Sequence, residues 1–517
     1  MKKENTCNIK LRVYGLIAAG IAVVLGAIFV NQFQFHQKAL QFSPNDKTET
    51  QDTLKSEFSK VDSLIQDSMI DSGMPGLSVA IVHNGQTVYK SGFGFADMQT
   101  GAKATSKTLF QIGSNSKAFT ALGVLQLQKK GLISLNDPIV KYLPWLKLYY
   151  QDREATVTIE QFLHHTSGIS ANTIVSIPEL SGPRALEQTV KTIAGSELKA
   201  GPGERYEYAT INYDVLGLLI EKVTGSTYEE YMQENVLQPM GLKDTQMYRE
   251  QAGPDMVAKG YKLQFLAPAA YQAPVYDGNK PAGYILSDAD DMAEWLKIQM
   301  GTSAGSIFDN ALIKESHAPN TSVAPFGKEM RYAEGWIVYD NRGTEIFHSG
   351  SNPNYSSYIA FRPAKKIGVA VLCNISSAST TYIGEGIMNI LLQRPAGSVS
   401  QDIRQLYDTI CSFIAVALLF FIAKSVYKLI PFIKHTGGKE NRSGTVNVFM
   451  IVISTVITVL IGAAIYLIPG LVFNQSTWGY LFVWYPSTII YIFILAYVLI
   501  ALSYCNTLFR CLRRPTE

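Results

Sequence analysis

Three long apolar runs near the C-terminus constrain the fold more than any other feature of this chain. They extend over about residues 406–423, 446–468 and 481–504. Each is long enough to cross a bilayer as a helix, and buried core helices rarely reach such lengths without charges. The sequence therefore predicts an all-α transmembrane region at the end of the chain.

A fourth apolar run, residues 13–30, follows Lys2, Lys3, Lys10 and Arg12. A basic start followed by an apolar run is typical of a signal peptide or a signal anchor. No small-x-small cleavage site follows at once, which favours a retained anchor over a cleaved signal peptide.

The charges around these runs predict the orientation. The segment between the first two C-terminal runs carries five Lys or Arg residues and one Glu, and "FRCLRRPTE" follows the last run. Positive charge marks cytoplasmic segments. The sequence therefore predicts a multi-pass protein of the cytoplasmic (inner) membrane, with both ends inside and the central region on the extracytoplasmic face.

A chain of 517 residues is expected to contain more than one domain. The net charge is +3 without a basic block in the central region, so nucleic acid is not an expected partner. Cys373 is the only cysteine there, which leaves no internal disulfide. The predicted segments are a cytoplasmic N-terminus (1–12), an anchor or signal peptide (13–30), a linker (31–60), a catalytic domain (61–395), a second linker (396–405), three transmembrane helices (406–504) and a cytoplasmic tail (505–517).

Strands are predicted at both ends of the central region, with helices between them. Residues 75–94 alternate apolar and polar positions around Asn84-Gly85, which predicts a β-hairpin with a type I′ turn. A second group of strands is predicted over about 334–374, and helices over Lys117–Lys130 and Asn212–Val223. This order predicts an α/β domain in which both chain ends complete one antiparallel sheet beside a helical lobe. The strand order stays open.

The stretch "GSNSKAFTALG" places Ser114 three residues before Lys117 at the start of a helix. Residues three apart share a helix face. A lysine amine with a depressed pKa can take the proton of a serine hydroxyl, and a helix N-terminus offers N–H groups to an oxyanion. Ser116 is only one residue from Lys117, so its side chain points in another direction and Ser116 is not the predicted nucleophile. A capping serine with a solvated lysine is the alternative, because this spacing is common by chance.

Two further stretches contain side chains that could act with this pair. "GERYEYATINYDVLG" (203–217) contains three tyrosines, and "FHSGSNPNYSS" (347–357) contains His348 beside Gly350. A tyrosine can relay protons, although most buried aromatics are packing residues. A histidine can bind a carboxylate or an amide, although a lone histidine on a strand is more often structural. Glycine permits a close backbone approach to a ligand.

These three elements, in this order, resemble the serine β-lactamase and penicillin-binding family, particularly its class C and D,D-peptidase branch. Its S-x-x-K, Y-x-N and K-T-G or H-x-G motifs match Ser114-Lys117, Tyr208-Ala209-Thr210 and His348-Ser349-Gly350. The sequence around the three motifs also matches the family, over about residues 60–395. Examples are the stretches "TIEQFLHHTSGI" and "PAGYILSDADDMAEWL". The resemblance implies a β-lactamase-like antiparallel sheet flanked by helices, a helical lobe, and acyl transfer through an acyl-enzyme without a cofactor.

The same family pattern argues against a metal-binding or catalytic role for two other groups of residues. His164 and His165 could suggest a metal site, but the side chains of adjacent histidines point in different directions. No further ligand follows at a suitable spacing. No metal is expected. Asp288, Asp290 and Asp291 are typical of the cap and first turn of a helix, where carboxylates are favourable.

Two differences from the β-lactamase pattern point to a narrower group within the family. Thr210 stands where β-lactamases usually have asparagine, and the C-terminal transmembrane helices are foreign to soluble β-lactamases. Both features resemble membrane-bound prodrug-activating peptidases of nonribosomal peptide–polyketide pathways, such as the colibactin-maturing and zwittermicin-type enzymes. The colibactin peptidase has Tyr-Ala-Ser in the second motif. The resemblance implies removal of an N-acyl-D-asparagine cap from an exported precursor.

This resemblance also implies a role for each site residue. Ser114 would attack the D-asparagine carbonyl while Tyr208 and Lys117 share the proton, and the resting base stays open between the two. The N–H groups of Ser114 and Ser351 would hold the oxyanion. The substrate-binding residues would be Gln111, Thr210, Asn279, His348, Ser349, Gly350 and Asn352. The relative has Glu at the position of Gln111 and His at that of Asn279.

The expected partners are a lipidated small-peptide substrate and the lipid bilayer, with a second copy of the chain and an exporter of the precursor as further candidates. The helices could keep the acyl chain of the substrate in the membrane, or could serve only as an anchor. One alternative function is a D,D-carboxypeptidase, an esterase or a weak β-lactamase. Another is a penicillin-binding sensor without turnover.

Overall fold

The computed structural model describes residues 26, 28–50, 54–247, 252–253, 256–340, 343–395, 402–434, 448–473 and 476–511. The chain forms two compact units. The larger unit comprises Lys38–Lys262 and Pro268–Asp402. The smaller unit comprises the described residues of Met1–Gln37, Leu263–Ala267 and Ile403–Glu517.

A nine-stranded antiparallel sheet forms the centre of the larger unit. The strands of the chain are β1 (Thr48–Glu49), β2 (Gly76–His83), β3 (Gln86–Asp97), β4 (Ala102–Lys103), β5 (Phe110–Gln111), β6 (Leu148–Tyr150), β7 (Arg153–Ala155), β8 (Tyr261–Gln264), β9 (Ala267–Ala270), β10 (Leu286–Ser287), β11 (Met330–Tyr332), β12 (Ile337–Asp340), β13 (Thr344–Asn352), β14 (Tyr355–Arg362) and β15 (Ile367–Cys373). The sheet has the order β1-β3-β2-β15-β14-β13-β12-β11, with β4 beside β3. The pairs β5–β10, β6–β7 and β8–β9 are separate.

Both ends of the domain sequence contribute to this sheet, as predicted. Strands β2 and β3 form the hairpin expected around Asn84-Gly85, whose φ angles of 53° and 75° are those of a type I′ turn. Strand β15 pairs with β2, so that Ala370 lies opposite Ala80. This pairing joins the N-terminal and C-terminal strands into one sheet.

Helices fill the sequence between these two groups of strands. The α-helices of the larger unit are Lys55–Ser72, Ser116–Lys129, Ile159–Leu163, Ala185–Lys191, Ile211–Thr224, Tyr228–Met232, Gln238–Met240, Lys280–Gly283, Ala289–Gln299, Asn310–Ser316 and Ser379–Leu391. The Ile211–Thr224 helix ends at Gly225, whose φ of 75° suits a helix C-terminus. Asp288 accepts a hydrogen bond from Asp291 N at 2.8 Å and caps the next helix, as the sequence predicted.

The smaller unit contains the apolar helices. Its described helices beyond residue 402 are Ile403–Lys434, Val448–Val472, Trp478–Trp484 and Thr488–Cys511. Three of them, over Ile403–Ile430, Val448–Val472 and Thr488–Cys511, are long and apolar enough to span a membrane. The third of these helices begins at Thr488, later than the predicted start at 481, because the chain leaves helical geometry at Tyr485, which precedes Pro486. Most of the predicted first span (13–30) and of the basic segment after Lys434 lies outside the described residues.

A short insertion from the central sequence also belongs to the smaller unit. The turn between β8 and β9 places Leu266 N 2.6 Å from Asp408 Oδ2 and Phe265 N 2.8 Å from Thr488 Oγ1. The hydroxyl of Thr488 also contacts the Asp408 carboxylate. The predicted catalytic domain (61–395) is therefore interrupted at residues 263–267.

Candidate active site

Ser114 lies in a single 3₁₀ turn, Gly113–Asn115, directly before the Ser116–Lys129 helix. Lys117 Nζ lies 3.1 Å from Ser114 Oγ and donates to the carbonyl oxygen of Ala282 at 2.7 Å. The Lys117 side chain is fully buried, whereas Ser114 is half-buried and accessible. A hydroxyl within hydrogen-bond distance of a desolvated amine is the arrangement that nucleophilic catalysis by serine requires.

Strand β13 approaches the Ser114 turn so closely that only glycine fits at two positions. A Cβ atom on Gly350 would lie 2.0 Å from the carbonyl oxygen of Ile112. A Cβ atom on Gly113 would lie 2.5 Å from the backbone nitrogen of Ser351. This approach brings the nitrogen of Ser351 beside the Ser114 turn, where the family resemblance implies an oxyanion hole.

Tyr208 lies on the other side of Lys117, whose Nζ is 5.1 Å from the centroid of the tyrosine ring. The Tyr208 hydroxyl is buried and has no hydrogen-bond partner within the described part of the chain. The ring packs on His165, with 4.3 Å between the ring centroids. His165 lies 3.0 Å from Asn212 Nδ2, and burial together with the charge of Lys117 lowers the pKa of His165 well below its usual range. His165 is therefore a neutral support for Tyr208.

His348 is buried behind the third motif, and both its ring nitrogens have partners in the protein. Nδ1 lies 2.7 Å from the carbonyl oxygen of Ser349, and Nε2 lies 3.2 Å from the hydroxyl of Tyr332. Burial and the charge of Lys117 lower the pKa of His348 to about 3. A neutral ring that donates through Nδ1 and accepts through Nε2 satisfies both contacts. The roles of His348 and of exposed Ser349 in substrate binding stay predictions.

Three side-chain amides converge beside the Ser114 turn. Asn352 Nδ2 donates to Gln111 Oε1 at 2.7 Å and to the carbonyl oxygen of Gly283 at 2.8 Å. Asn279 Nδ2 donates to Asp214 Oδ2 at 2.7 Å. A Cβ atom on Gly283 would lie 3.4 Å from Asn352 Oδ1 and 3.9 Å from Asn279 Oδ1. Both amide oxygens therefore lie within contact distance of the Cβ position of Gly283, as does the backbone carbonyl carbon of Gly113 at 3.9 Å.

Asp214 was missed by the sequence reasoning. It lies four residues after Thr210 on the Ile211–Thr224 helix and is fully buried. Burial raises its pKa well above the usual range, against the opposing effects of the Asn279 amide and the charge of Lys117. An acid inside the apolar run "INYDVLGLLI" was the available signal, because a buried carboxylate needs a specific partner.

A cavity of about 620 Å³ extends from Gln111, within the larger unit. Its walls include residues 270–277, which contribute Tyr271 and Tyr276, and the side chain of Tyr284. This volume lies in the range of small-molecule binding sites. Nothing in the sequence pattern of this loop predicted a cavity. Within the described residues, no group of three or more His, Cys, Asp or Glu side chains could hold a metal ion.

Comparisons with known proteins agree with this fold and geometry. Residues 61–385 match the Beta-lactamase family. The chain is 28% identical to Protein flp of Staphylococcus aureus (strain MW2) over 434 residues, which cover 83% of this chain and 86% of that protein. It is 28% identical to the putative penicillin-binding protein PbpX of Bacillus subtilis (strain 168) over 301 residues, which cover 57% of this chain and 72% of PbpX.

Solved structures show the same similarity. The octameric penicillin-binding protein homologue from Pyrococcus abyssi has a TM-score of 0.58 and 30% identity, covering 66% of this chain and 78% of its own. A class C beta-lactamase has a TM-score of 0.57 and 21% identity, covering 68% of this chain and all of its own. The second likeness shows the fold alone. Taken with the family match over most of the larger unit, these similarities establish that the chain belongs to the beta-lactamase family of serine hydrolases.

Proposed function

We propose that this chain is a membrane-bound serine peptidase that removes an N-acyl-D-asparagine cap from an exported nonribosomal peptide–polyketide precursor. The observation that carries the proposal is that two amide oxygens, from Asn352 and Asn279, both lie within 4 Å of the Cβ position of Gly283. A primary amide has two N–H donors, and two acceptor oxygens on one side of a pocket complement them. A buried polar pocket of this kind rejects side chains that lack the matching groups.

The remaining polar groups support the same substrate. Gln111 uses its Oε1 as an acceptor for Asn352, which leaves its Nε2 to donate. Thr210 is buried at the N-terminus of the Ile211–Thr224 helix, and no hydrogen bond of its side chain caps that helix. Either group can donate to the carbonyl oxygen of an asparagine side chain. The substrate amide would thus meet two acceptors and at least one donor.

The positions of Ser114, Lys117 and Tyr208 support the following reaction. Ser114 Oγ attacks the carbonyl carbon of the D-asparagine while Lys117 or Tyr208 takes the hydroxyl proton. The oxyanion accepts hydrogen bonds from the backbone N–H groups of Ser114 and Ser351. Collapse breaks the C–N bond, and the released amine receives the proton from the same pair. Water then attacks the ester of Ser114, which yields the N-acyl-D-asparagine acid and free enzyme.

The acyl group of the substrate also requires a binding site. The cavity of about 620 Å³ beside Gln111 exceeds the needs of an asparagine side chain, and it is lined by Tyr271, Tyr276 and Tyr284. Tyrosines offer apolar ring faces to an aliphatic chain. The three apolar helices support a further proposal, that the end of a lipid chain stays in the bilayer while the domain acts on the extracytoplasmic side.

The test uses the full chain in membranes and a set of matched amide substrates. N-myristoyl-D-Asn, its L-Asn enantiomer, N-myristoyl-D-Asp and N-myristoyl-D-Ala are joined to the same reporter amine. We expect release of the amine from the D-Asn substrate at a kcat/KM at least about 10-fold above that for each of the others. Ser114→Ala should abolish release. Equal turnover of D-Asn and D-Ala, or undiminished turnover by Ser114→Ala, would contradict the proposal.

A D,D-carboxypeptidase, an esterase or a weak β-lactamase is the second candidate, because PbpX is a relative described as a putative penicillin-binding protein. Such an enzyme would cleave a D-Ala-D-Ala peptide or a β-lactam in preference to the D-Asn substrate. A sensor without turnover would release one equivalent of reporter and then stop. Adding an acyl-D-Ala-D-Ala peptide and a chromogenic cephalosporin to the same assay separates these outcomes.

A further inference from the structure

The buried carboxyl group of Asp214 has no part in the reaction steps above, yet it is bonded to Asn279, one of the proposed substrate-binding residues. It is on the same face of the Ile211–Thr224 helix as Thr210, because the two residues are four apart. Its Oδ2 accepts a hydrogen bond from Asn279 Nδ2. Its Oδ1 is buried and has no hydrogen-bond partner within the described residues. Burial of a carboxyl oxygen without a hydrogen-bond partner is costly, so this group is expected to have a specific role.

The hydrogen bond from Asn279 determines which end of its amide faces the substrate. An amide side chain turns its oxygen and its nitrogen to opposite sides, and the neighbouring hydrogen bonds decide which is which. Because Asp214 Oδ2 is an acceptor, it holds the amide nitrogen of Asn279. The amide oxygen of Asn279 then lies 3.9 Å from the Cβ position of Gly283, and Asn352 Oδ1 lies 3.4 Å from the same position.

We infer that Asp214 is a positioning residue that sets the substrate specificity of the site. It fixes Asn279 with its oxygen toward the pocket, so that the pocket accepts a side chain with N–H donors, a primary amide, and rejects a carboxylate. This inference rests on the proposed function, and it assigns the preference for amide over acid to a residue that does not contact the substrate.

The experiment measures selectivity, which a purely structural role would leave unchanged. The full chain in membranes is assayed with N-myristoyl-D-Asn and N-myristoyl-D-Asp reporter amides, and selectivity is the ratio of their kcat/KM values. In Asp214→Asn, the new amide can donate to Asn279 Oδ1, which turns Asn279 Nδ2 toward the pocket. We expect the D-Asn/D-Asp ratio to fall by about 10- to 100-fold, because one pocket acceptor becomes a donor.

A double-mutant cycle tests whether Asp214 acts through Asn279. Asn279→Ala alone should lower the ratio, and Asp214→Asn added to Asn279→Ala should lower it no further. Asp291→Asn is the matched control, because Asp291 is a buried carboxylate that accepts from Thr245 N at 2.6 Å in a different loop. That variant should keep the wild-type ratio. Thermal unfolding of each variant reports whether it folds.

Each outcome decides the matter. A wild-type chain that does not cleave the D-Asn substrate overturns both this inference and the proposed function. A wild-type chain that prefers D-Asn, with an Asp214→Asn variant that keeps the preference or loses activity equally on both substrates, overturns the inference alone. If Asp214→Asn does not fold, an unchanged ratio in Asn279→Ala overturns the inference, and a fall of about 10-fold or more supports it.

Discussion

Asn352 Nδ2 donates a 2.7 Å hydrogen bond to Gln111 Oε1, and this bond joins strand β13 to the strand that precedes the nucleophile turn. Gln111 is the last residue of β5, three positions before Ser114. The same Asn352 nitrogen reaches the carbonyl oxygen of Gly283. One amide thus fixes three separate parts of the chain around the space proposed for the substrate side chain.

Replacing Gln111 should therefore weaken substrate binding. Gln111→Leu removes the acceptor for Asn352 Nδ2, and an unsatisfied buried donor costs about 1–3 kcal/mol. We expect KM for the D-Asn substrate to rise by about 10-fold or more, measured with the full chain in membranes. Gln111→Glu keeps an acceptor for Asn352 while it removes the Nε2 donor, so KM should rise less than in Gln111→Leu if the bond to Asn352 matters. An equal rise in KM for the two variants would contradict this interpretation of the bond.

Thr210→Asn should reduce selectivity for D-asparagine. The longer side chain would enter the pocket from the N-terminus of the Ile211–Thr224 helix, where Thr210 is buried. We expect the ratio of kcat/KM for the D-Asn and D-Ala substrates to fall, because the larger residue competes for the space of the substrate amide. Thr210→Ser retains the hydroxyl and should keep the ratio. A selectivity that survives Thr210→Asn would exclude Thr210 from the pocket.

Lys117→Met should lower kcat by about 10²- to 10⁴-fold, the usual contribution of proton transfer by a positioned side chain. The change removes the group 3.1 Å from Ser114 Oγ and also leaves the carbonyl oxygen of Ala282 without its donor. Ser116→Ala is the control, because the Ser116 hydroxyl accepts from Ile285 N and points away from the site. A Lys117→Met variant that folds and keeps its kcat would show that Lys117 is not needed as a base.

Gly350→Ala should destabilise the larger unit. The added Cβ atom would lie 2.0 Å from the carbonyl oxygen of Ile112, so one of two packed backbone segments must move. Overpacking of this kind costs about 1–3 kcal/mol. Thermal unfolding of the full chain in detergent should show a lower midpoint for Gly350→Ala. Gly305→Ala is the control, because nothing lies within 4 Å of its Cβ position. Equal midpoints for the two variants would contradict the close approach of strand β13 to Ile112.

The stability of the chain should fall as the pH falls below about 6.5. Burial holds the pKa of His348 at about 3 in the folded state, below its ordinary value near 6.5 in the unfolded chain. Between these values the unfolded state binds the extra proton, so the free energy of unfolding decreases by up to about 1.4 kcal/mol per pH unit. His348→Gln should flatten this dependence in thermal unfolding between pH 4 and pH 6.5. An unchanged slope in His348→Gln would refute the assignment.

Local sequence signals predicted the parts of the fold and site that depend on neighbouring residues. Asn84-Gly85 predicted the β2–β3 hairpin because a type I′ turn needs positive φ at both positions. The spacing of Ser114 and Lys117 predicted a shared face because three residues make less than one helical turn. Family resemblance then identified Gln111, Asn279 and Asn352 as neighbours of the site.

The arrangement of the pocket depends on contacts between distant residues, which no local pattern encodes. Asn352 and Gln111 are 241 positions apart, and Asn279 and Asp214 are 65 apart. Only the structure shows that the amide oxygens of Asn352 and Asn279 both lie within 4 Å of the Cβ position of Gly283. Pro486 is a local sequence signal for the break in the last apolar run, but a prediction from hydropathy alone does not detect it.

The short turn between β8 and β9 bears on how such a protein can arise and be divided. The backbone N–H groups of Phe265 and Leu266 bond to Thr488 and Asp408, which belong to the apolar helices at the far end of the sequence. A gene fragment that ends before Ile403 encodes a catalytic domain whose turn has lost both acceptors. Recombination between this chain and a soluble relative would therefore have to exchange the turn together with the helices. The sequences of the two units are interleaved along the chain, so a single cut in the gene does not separate them.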